Sequence, residues 1–160
     1  MSFEKVKHYF EQFDLSHRVM ELEHSSATVE QAAIAIGCEP ELIAKTMSFF
    51  LNDKPILIVT AGDAKIDNKK YKEYFGEKAK MIPGDQVEDY VGHAPGGVCP
   101  FATNKDVIVY LDVSLKRFET IFPAAGSANS AVRLSLKELE IYSSAICWVD
   151  VSKGWFVNQS

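Results

Sequence analysis

The sequence contains 160 residues, of which 47% are hydrophobic and 24% are charged, and its formal net charge is -5. These values are typical of a globular protein, and the length predicts a single domain over residues 1–160. The negative charge argues against non-specific binding to DNA, because such binding depends on many phosphate contacts. Neither a membrane-spanning run nor a signal-peptide pattern is recognisable, so we expect a cytoplasmic protein without a membrane partner.

Cysteine usage and nucleotide-binding motifs give no sign of a bound metal or cofactor. The three cysteines, Cys38, Cys99 and Cys147, are odd in number and far apart in the sequence. A disulfide framework or a zinc site has closer or paired spacing. The chain also lacks the Gly-x-x-x-x-Gly-Lys-Ser/Thr and Gly-x-Gly-x-x-Gly patterns of phosphate-binding loops. We therefore predict neither a metal nor a cofactor.

Helices are predicted where apolar side chains recur at helical spacing behind a capping residue. Capping boxes are expected at Thr28 with Gln31, at Asp85 with Glu88 and at Ser135 with Glu138. The predicted helices cover residues 3–13, 28–37, 67–75 and 85–92, with a short turn at Pro40 and another helix after Ser135.

Strands are predicted in the apolar or alternating runs between these helices. They cover residues 18–22, 44–51, 56–61, 106–111, 119–124, 131–134 and 145–149, with a last hairpin turn at residues 154–157. Helices and strands mix without a regular βαβ repeat, so the predicted fold class is α+β with a mixed, mostly antiparallel sheet.

Residues 92–102 form an unusual segment, because three glycines and two prolines occur there together with a histidine and a cysteine. Proline fixes φ and glycine tolerates unusual backbone angles, so the loop is expected to be stiff and to expose bare backbone. Such a loop can direct successive N–H groups at one point, as an oxyanion hole does. A tight turn without any chemical role is the alternative.

Lys45 lies on the more apolar face of a predicted strand, together with Met47, Phe49 and Leu51. Lysine is almost never fully buried without a partner. Its ammonium group either extends to water at the strand end or lies at the rim of an apolar pocket, where it would meet an anion or a polarised carbonyl. The sequence alone leaves both interpretations open.

A second basic feature is the segment of residues 65–80, whose six lysines and three acidic residues give a local net charge of +3. Charge runs of this kind are most often solvated helix faces. Contact with an RNA backbone is the functional alternative.

Lys45, the loop from Gly96 to Pro100 and the later segments 118–122 and 125–127 occur in an order that resembles the YbaK/EbsC family. The most specific motif is Gly-x-x-x-Pro, which Gly96 and Pro100 match. The family is related to the editing domain of bacterial prolyl-tRNA synthetase. The resemblance implies a barrel-like sheet with flanking helices and a free-standing, trans-editing aminoacyl-tRNA deacylase. Its partners would be the acceptor end of a tRNA and a synthetase.

The same resemblance implies a set of site residues. The catalytic residues would be Lys45, Gly96 and Gly97. The substrate-binding residues would be His93, Val98, Cys99, Pro100, Thr60, Ser127 and Asp150.

The implied chemistry fits these residue types. Hydrolysis of an aminoacyl ester passes through a tetrahedral oxyanion, which prepositioned backbone N–H groups stabilise. Lys45 could hold a terminal phosphate or polarise the ester carbonyl. No side chain stands out as a general base, so water or a substrate group would serve. Alanine and cysteine on tRNA(Pro) are the substrates that the resemblance implies, and large pocket candidates (Met47, Phe49, Val98 and Phe101) predict a small cavity.

Two other interpretations are weighed against this one. Cys99 could act as a thiol nucleophile with His93 as its base. Alternatively, the protein could be a non-catalytic module that recognises a tRNA end or a protein partner.

Overall fold

The structure is a computed structural model that describes residues 2–26 and 28–155. The helices are α1 (Ser2–Glu11), α2 (Val29–Ile36), α3 (Asn68–Phe75), α4 (Gly84–Val91) and α5 (Leu136–Tyr142), with short 3-10 turns at Ser16–Arg18, Pro40–Leu42 and Val113–Arg117. The strands are β1 (Val19–Glu21), β2 (Ile43–Leu51), β3 (Lys54–Ala61), β4 (Lys65–Ile66), β5 (Ile108–Asp112), β6 (Thr120–Pro123), β7 (Ser130–Val132), β8 (Leu134–Ser135), β9 (Cys147–Val149) and β10 (Ser152–Lys153). Among the described residues, no helix has the length and apolarity that a membrane crossing requires.

The sheet confirms the predicted α+β class, in which a curled, barrel-like sheet carries flanking helices. Its six-stranded part has the order β8-β6-β2-β3-β5-β9, and two further pairs join β1 to β7 and β4 to β10. Among the described strands, four of the seven pairings are antiparallel, whereas β2–β6, β3–β5 and β5–β9 are parallel. The sheet is therefore mixed, with β2 near its centre.

The β2–β3 hairpin positions Lys45 in this sheet. Asn52 and Asp53 form its turn with φ values of 51° and 64°. Positive φ at both central residues matches the twist of a two-residue hairpin, and Asn and Asp tolerate it well. The resulting register places Lys45 directly opposite Thr60.

Most of the predicted helix starts are confirmed by their capping hydrogen bonds. The Thr28 hydroxyl accepts from the Gln31 N–H, and Ser135 with Glu138 forms a complete capping box. The capping box at Asp85 is wrong, because Pro83 precedes the first helical residue and forms no side-chain cap. Asp85 instead lies within the first turn, where a carboxylate still interacts favourably with the helix dipole.

Two other predicted elements differ in detail. The strand expected at residues 131–134 is divided, since β7 pairs with β1 while β8 pairs with β6. Of the turn expected at residues 154–157, residues 156 and 157 lie outside the described residues.

Apolar side chains cover both faces of the sheet. One cluster contains Val6 and Phe10 of α1 with Leu57 and Val59 of β3. The other cluster contains Phe49, Ile58 and Tyr71, which is contributed by α3. Between these clusters, Lys45, Thr46 and Met47 of β2 remain only half-buried.

Candidate active site

A cavity of about 650 Å³ lies at the edge of β2. Its volume falls within the range of small-molecule sites. Helix α2, the segment after Lys80, the glycine-rich loop and the turn around Ser127 enclose it. The walls are mostly apolar, with Val29, Ala32, Ile36, Met47, Val98 and Phe122 among the lining residues.

Two of the four large side chains that were predicted to line the cavity do not line it. Met47 and Val98 line the cavity as expected. Phe49 and Phe101 do not line it, because both are buried in the core, at 2% and 0% exposure.

The cavity exposes a gap in the pairing of β2. Strand β6 pairs with β2 only at residues 43–44, and the next contact is the Ile82 N–H donating to the Ser48 carbonyl (3.1 Å). The Phe50 N–H similarly donates to the Lys80 carbonyl (2.8 Å). Backbone groups alternate in direction along a strand, so the N–H and C=O of Thr46 face the same edge.

Thr46 is a residue that sequence reasoning missed. Its side chain lines the cavity, and its hydroxyl is buried without a hydrogen-bond partner among the described residues. A buried hydroxyl without a partner costs stability unless a ligand or water satisfies it. In the sequence, the signal that could have identified Thr46 as a site residue was its position next to Lys45.

Lys45 lines the cavity, and its ammonium group donates a hydrogen bond to the Ala64 carbonyl. Burial lowers the pKa of Lys45 below the usual 10.5, while the nearby Asp63 carboxylate opposes this shift. An ammonium group has three donors, so two remain for a ligand. The structure thus places Lys45 at the rim of an apolar pocket rather than in open water.

Thr60 lies opposite Lys45 but does not line the cavity. It is fully buried, and its hydroxyl donates to the Ala61 carbonyl at 3.2 Å. Thr60 is thus packed within the sheet, outside the residues that line the cavity.

The two glycines of the loop have different environments. Gly96 is exposed, lines the cavity and has a φ of 90°. Gly97 is buried, and its N–H donates to the Ala94 carbonyl at 3.0 Å. Within the described residues, no hydrogen bond is formed by the N–H of Gly96 or of Val98. The expected donor at Gly97 is thus already engaged, whereas Gly96 and Val98 offer free donors.

Gly97 packs against the backbone of the turn before β7. A Cβ atom at Gly97 would lie 2.5 Å from the Gly126 carbonyl carbon and 2.7 Å from the Ser127 nitrogen. Real Cβ contacts are not that short, so only glycine fits here. The absence of a side chain at Gly97 therefore allows the loop and the turn to pack closely beside the cavity.

Within the glycine-rich segment, the side chains of His93, Cys99 and Pro100 are buried. The His93 Nε2 donates to the Phe101 carbonyl at 2.7 Å, and the Cys99 Sγ lies 3.6 Å from that nitrogen. Burial raises the pKa of the Cys99 thiol to about 12 and lowers the pKa of His93. A neutral, inaccessible thiol is not an activated nucleophile, so the Cys99–His93 alternative is not supported.

Ser127 lines the cavity and belongs to a hydrogen-bonded turn. Its hydroxyl donates to the Asn129 side-chain oxygen at 2.8 Å, and the Asn129 amide donates to the Leu22 carbonyl at 3.2 Å. The Ser26 N–H also donates to the Ala128 carbonyl at 2.8 Å. The turn therefore fixes the segment that forms the far wall of the cavity.

Asp150 is not among the residues that line the cavity. Its exposed carboxylate lies 3.1 Å from the Lys70 ammonium group and does not line the cavity. Asp150 follows β9, and the sequence could not show which side of the sheet this strand end faces.

No side chain in the described lining of the cavity is an aspartate, a glutamate or a histidine. The described residues likewise contain no group of three His, Cys, Asp or Glu side chains suited to a metal ion. The polar groups available to a ligand there are backbone N–H groups, hydroxyls and Lys45.

Comparisons with known proteins agree with this arrangement. A protein of Bacillus subtilis (strain 168) named uncharacterized protein YwhH is 53% identical over 97% of this chain and 99% of its own length. The proline--tRNA ligase of Bacillus pumilus is 27% identical over 69% of this chain, which corresponds to 21% of the ligase. The chain thus spans about a fifth of that relative.

A solved structure described as a proposed trans-editing enzyme for prolyl tRNA synthetase superposes with a TM-score of 0.86. It is 28% identical, and the match covers 96% of this chain and 98% of that one. A family model described as the aminoacyl-tRNA editing domain matches residues 23–141. The chain therefore belongs to the aminoacyl-tRNA editing domain family, a family of aminoacyl-tRNA deacylases.

Proposed function

We propose that this protein is a free-standing, single-domain, trans-editing hydrolase that removes alanine or cysteine wrongly attached to tRNA(Pro) in the cytoplasm. One observation carries the proposal: Lys45, Gly96 and Val98 border the same apolar cavity, and the N–H groups of Gly96 and Val98 have no hydrogen-bond partner among the described residues. That combination provides a cation, hydrogen-bond donors and an apolar wall for an aminoacyl ester.

Hydrolysis begins when water adds to the ester carbonyl and its oxygen becomes an oxyanion. The N–H groups of Gly96 and Val98 stabilise this charge, and removing one such donor in other enzymes costs about 10²–10³ in kcat. The Lys45 ammonium group either strengthens this stabilisation or holds the terminal phosphate. The tetrahedral intermediate then collapses, and the ribose oxygen leaves and takes a proton.

A substrate group activates the water. The described cavity lining holds no carboxylate or imidazole, so the protein provides no ordinary general base there. A ribose hydroxyl or the α-amino group of the substrate lies next to the carbonyl and can relay the proton. The protein then contributes position and electrostatics, which can account for a large part of a rate enhancement.

The apolar lining favours small side chains over bulky ones. A terminal adenosine in this cavity of about 650 Å³ would leave the space beside Met47 and Val98 to the amino-acid side chain. A hydrophobic pocket distinguishes one methylene group by only about 1–3 kcal/mol. We therefore expect a graded preference for small amino acids rather than one exclusive substrate.

A panel of alanyl-, cysteinyl- and phenylalanyl-tRNA tests this function through the release of free amino acid. We expect the alanyl and cysteinyl esters to be hydrolysed much faster than the phenylalanyl ester. Efficient cleavage of the phenylalanyl ester, with the small esters untouched, would contradict the proposed selectivity.

The absence of a carboxylate or imidazole from the described cavity lining also favours a second candidate, a module that binds a tRNA end or a protein without hydrolysis. The same assay separates the two functions. Saturable binding of aminoacyl-tRNA without any release of amino acid would identify a binding module.

A further inference from the structure

A groove of about 420 Å³ lies beside α3 and is separate from the cavity; its lining residues are Asn68, Lys69, Lys72, Lys78 and Ala79. The three lysines are exposed. Within the described chain, none of their ammonium groups has a carboxylate oxygen within 4.0 Å. Lys70 on the same helix differs, since it is paired with Asp150.

Three unpaired ammonium groups around one groove repel each other. The nearby acidic side chains do not line the groove, and two of them are engaged by backbone groups. Asp67 accepts from the N–H groups of Lys69 and Lys70, and Glu77 accepts from the Asn52 N–H at 2.8 Å. A ligand with several negative charges would remove this repulsion.

A short extended segment connects the groove to the cavity. Ala79 lines the groove, whereas Met81 and Ile82 line the cavity. Hydrogen bonds from Phe50 to Lys80 and from Ile82 to Ser48 hold this segment along β2. An extended chain advances about 3.3 Å per residue, so Ala79 and Met81 are about 7 Å apart.

The segment between the two sites carries the exposed side chains of Lys80 and Met81. Met81 is 59% exposed at the cavity mouth, which leaves a side chain on which a base or a ribose can pack. A nucleic-acid strand advances about 3.4 Å per nucleotide when stacked, so the groove lies within a few nucleotides of the cavity.

We propose that this lysine groove binds the phosphodiester backbone of the RNA strand whose acylated 3′ end enters the cavity. The proposal rests on the proposed function, because it takes an aminoacyl-tRNA end as the occupant of the cavity. The local net charge of +3 at residues 65–80 contrasts with -5 for the whole chain. The groove therefore both attracts the RNA and orients it towards the cavity.

The test compares two substrates that share the ester but differ in phosphates: a full aminoacyl-tRNA and an aminoacyl-adenosine. In the groove variant, Lys69, Lys72 and Lys78 are replaced together by glutamate. A matched control replaces Lys7, Lys105 and Lys137, which are also exposed, by glutamate and so has the same net charge. A second variant with arginine at the three groove positions keeps the charge.

We expect the groove variant to lose kcat/KM for aminoacyl-tRNA and to retain the wild-type rate with aminoacyl-adenosine. Three single-strand phosphate contacts correspond to a salt slope of about 2. Raising the salt concentration from about 50 to about 200 mM should therefore weaken RNA binding by the wild type roughly twentyfold more than RNA binding by the groove variant. The charge-matched control and the arginine variant should behave like the wild type.

An unchanged salt slope in the groove variant would overturn the proposal, and so would an equal loss on both substrates. A variant that keeps its RNA salt slope but no longer binds a synthetase would assign the groove to an acidic protein surface instead. If the wild type cleaves neither ester, the proposed function fails separately. Binding of an uncharged acceptor-stem RNA to wild type and variant then still decides the role of the groove.

Discussion

Gly97→Ala should separate the two backbone segments that meet at the cavity. The added Cβ would lie 2.5 Å from the Gly126 carbonyl carbon, whereas ordinary contacts begin at about 3.4 Å. The obstacle is backbone, so the loop and the turn must move apart by about 0.9 Å, as these two distances imply. Overpacking of this kind costs about 1–3 kcal/mol of stability. A misplacement of about 1 Å at a reacting centre can cost about 10²-fold in rate.

The assay is deacylation of alanyl-tRNA, measured alongside urea unfolding. We expect kcat to fall by about 100-fold while the protein stays folded. Gly76→Ala is the control, since it is strained at a φ of 82° but its Cβ would meet nothing within 4 Å. It should lose about 1 kcal/mol of stability and retain full activity. Wild-type turnover in folded Gly97→Ala would refute the positioning role of this contact.

Three other predictions concern single side chains. Lys45→Ala should lower kcat/KM by about 10²-fold. Because burial lowers the pKa of Lys45 from its usual 10.5, the ammonium group is lost as the pH rises, and the alkaline decline of wild-type activity should begin at a lower pH than that of an ordinary lysine. Cys99→Ser should keep near-wild-type kcat, since the thiol with a pKa of about 12 is protonated; loss of activity at normal stability would restore the nucleophile hypothesis. Burial holds the pKa of His93 below 6.5, so the unfolded chain binds the extra proton. Stability should fall below about pH 6.5 by at most about 1.4 kcal/mol per pH unit, and His93→Gln should remove this dependence in unfolding experiments.

The sequence predicted most elements because their signals are local. Thr28, Asp67 and Ser135 cap helices through bonds to residues two or three positions later. The Asn52-Asp53 turn likewise fixes the β2–β3 hairpin. Asp85 failed as a cap because Pro83, with its fixed φ, lets the helix begin at the next residue.

The candidate site was only partly predictable. Lys45 and Gly96 could be found from strand alternation and from the glycine-rich loop, and both line the cavity. Asp150 could not be placed, because its environment depends on the pairing of Lys70 from a distant helix. Gly97 could not be distinguished from Gly96, since a hydrogen bond to Ala94 and contact with a remote turn decide its role.

The first turn of α1 has a practical consequence for experiments on this protein. Gly126 lies so close to this turn that a Cβ atom would be 2.5 Å from the Ser2 carbonyl oxygen. The Lys5 ammonium group also donates to the Gly92 carbonyl at 2.9 Å, at the start of the glycine-rich loop. The glycine-rich loop, the turn that Gly97 contacts and the first turn of α1 thus pack directly against one another, so a displacement of one shifts the others. A substitution or a proteolytic cut in the first turn of α1 should therefore disturb the glycine-rich loop as well as the helix.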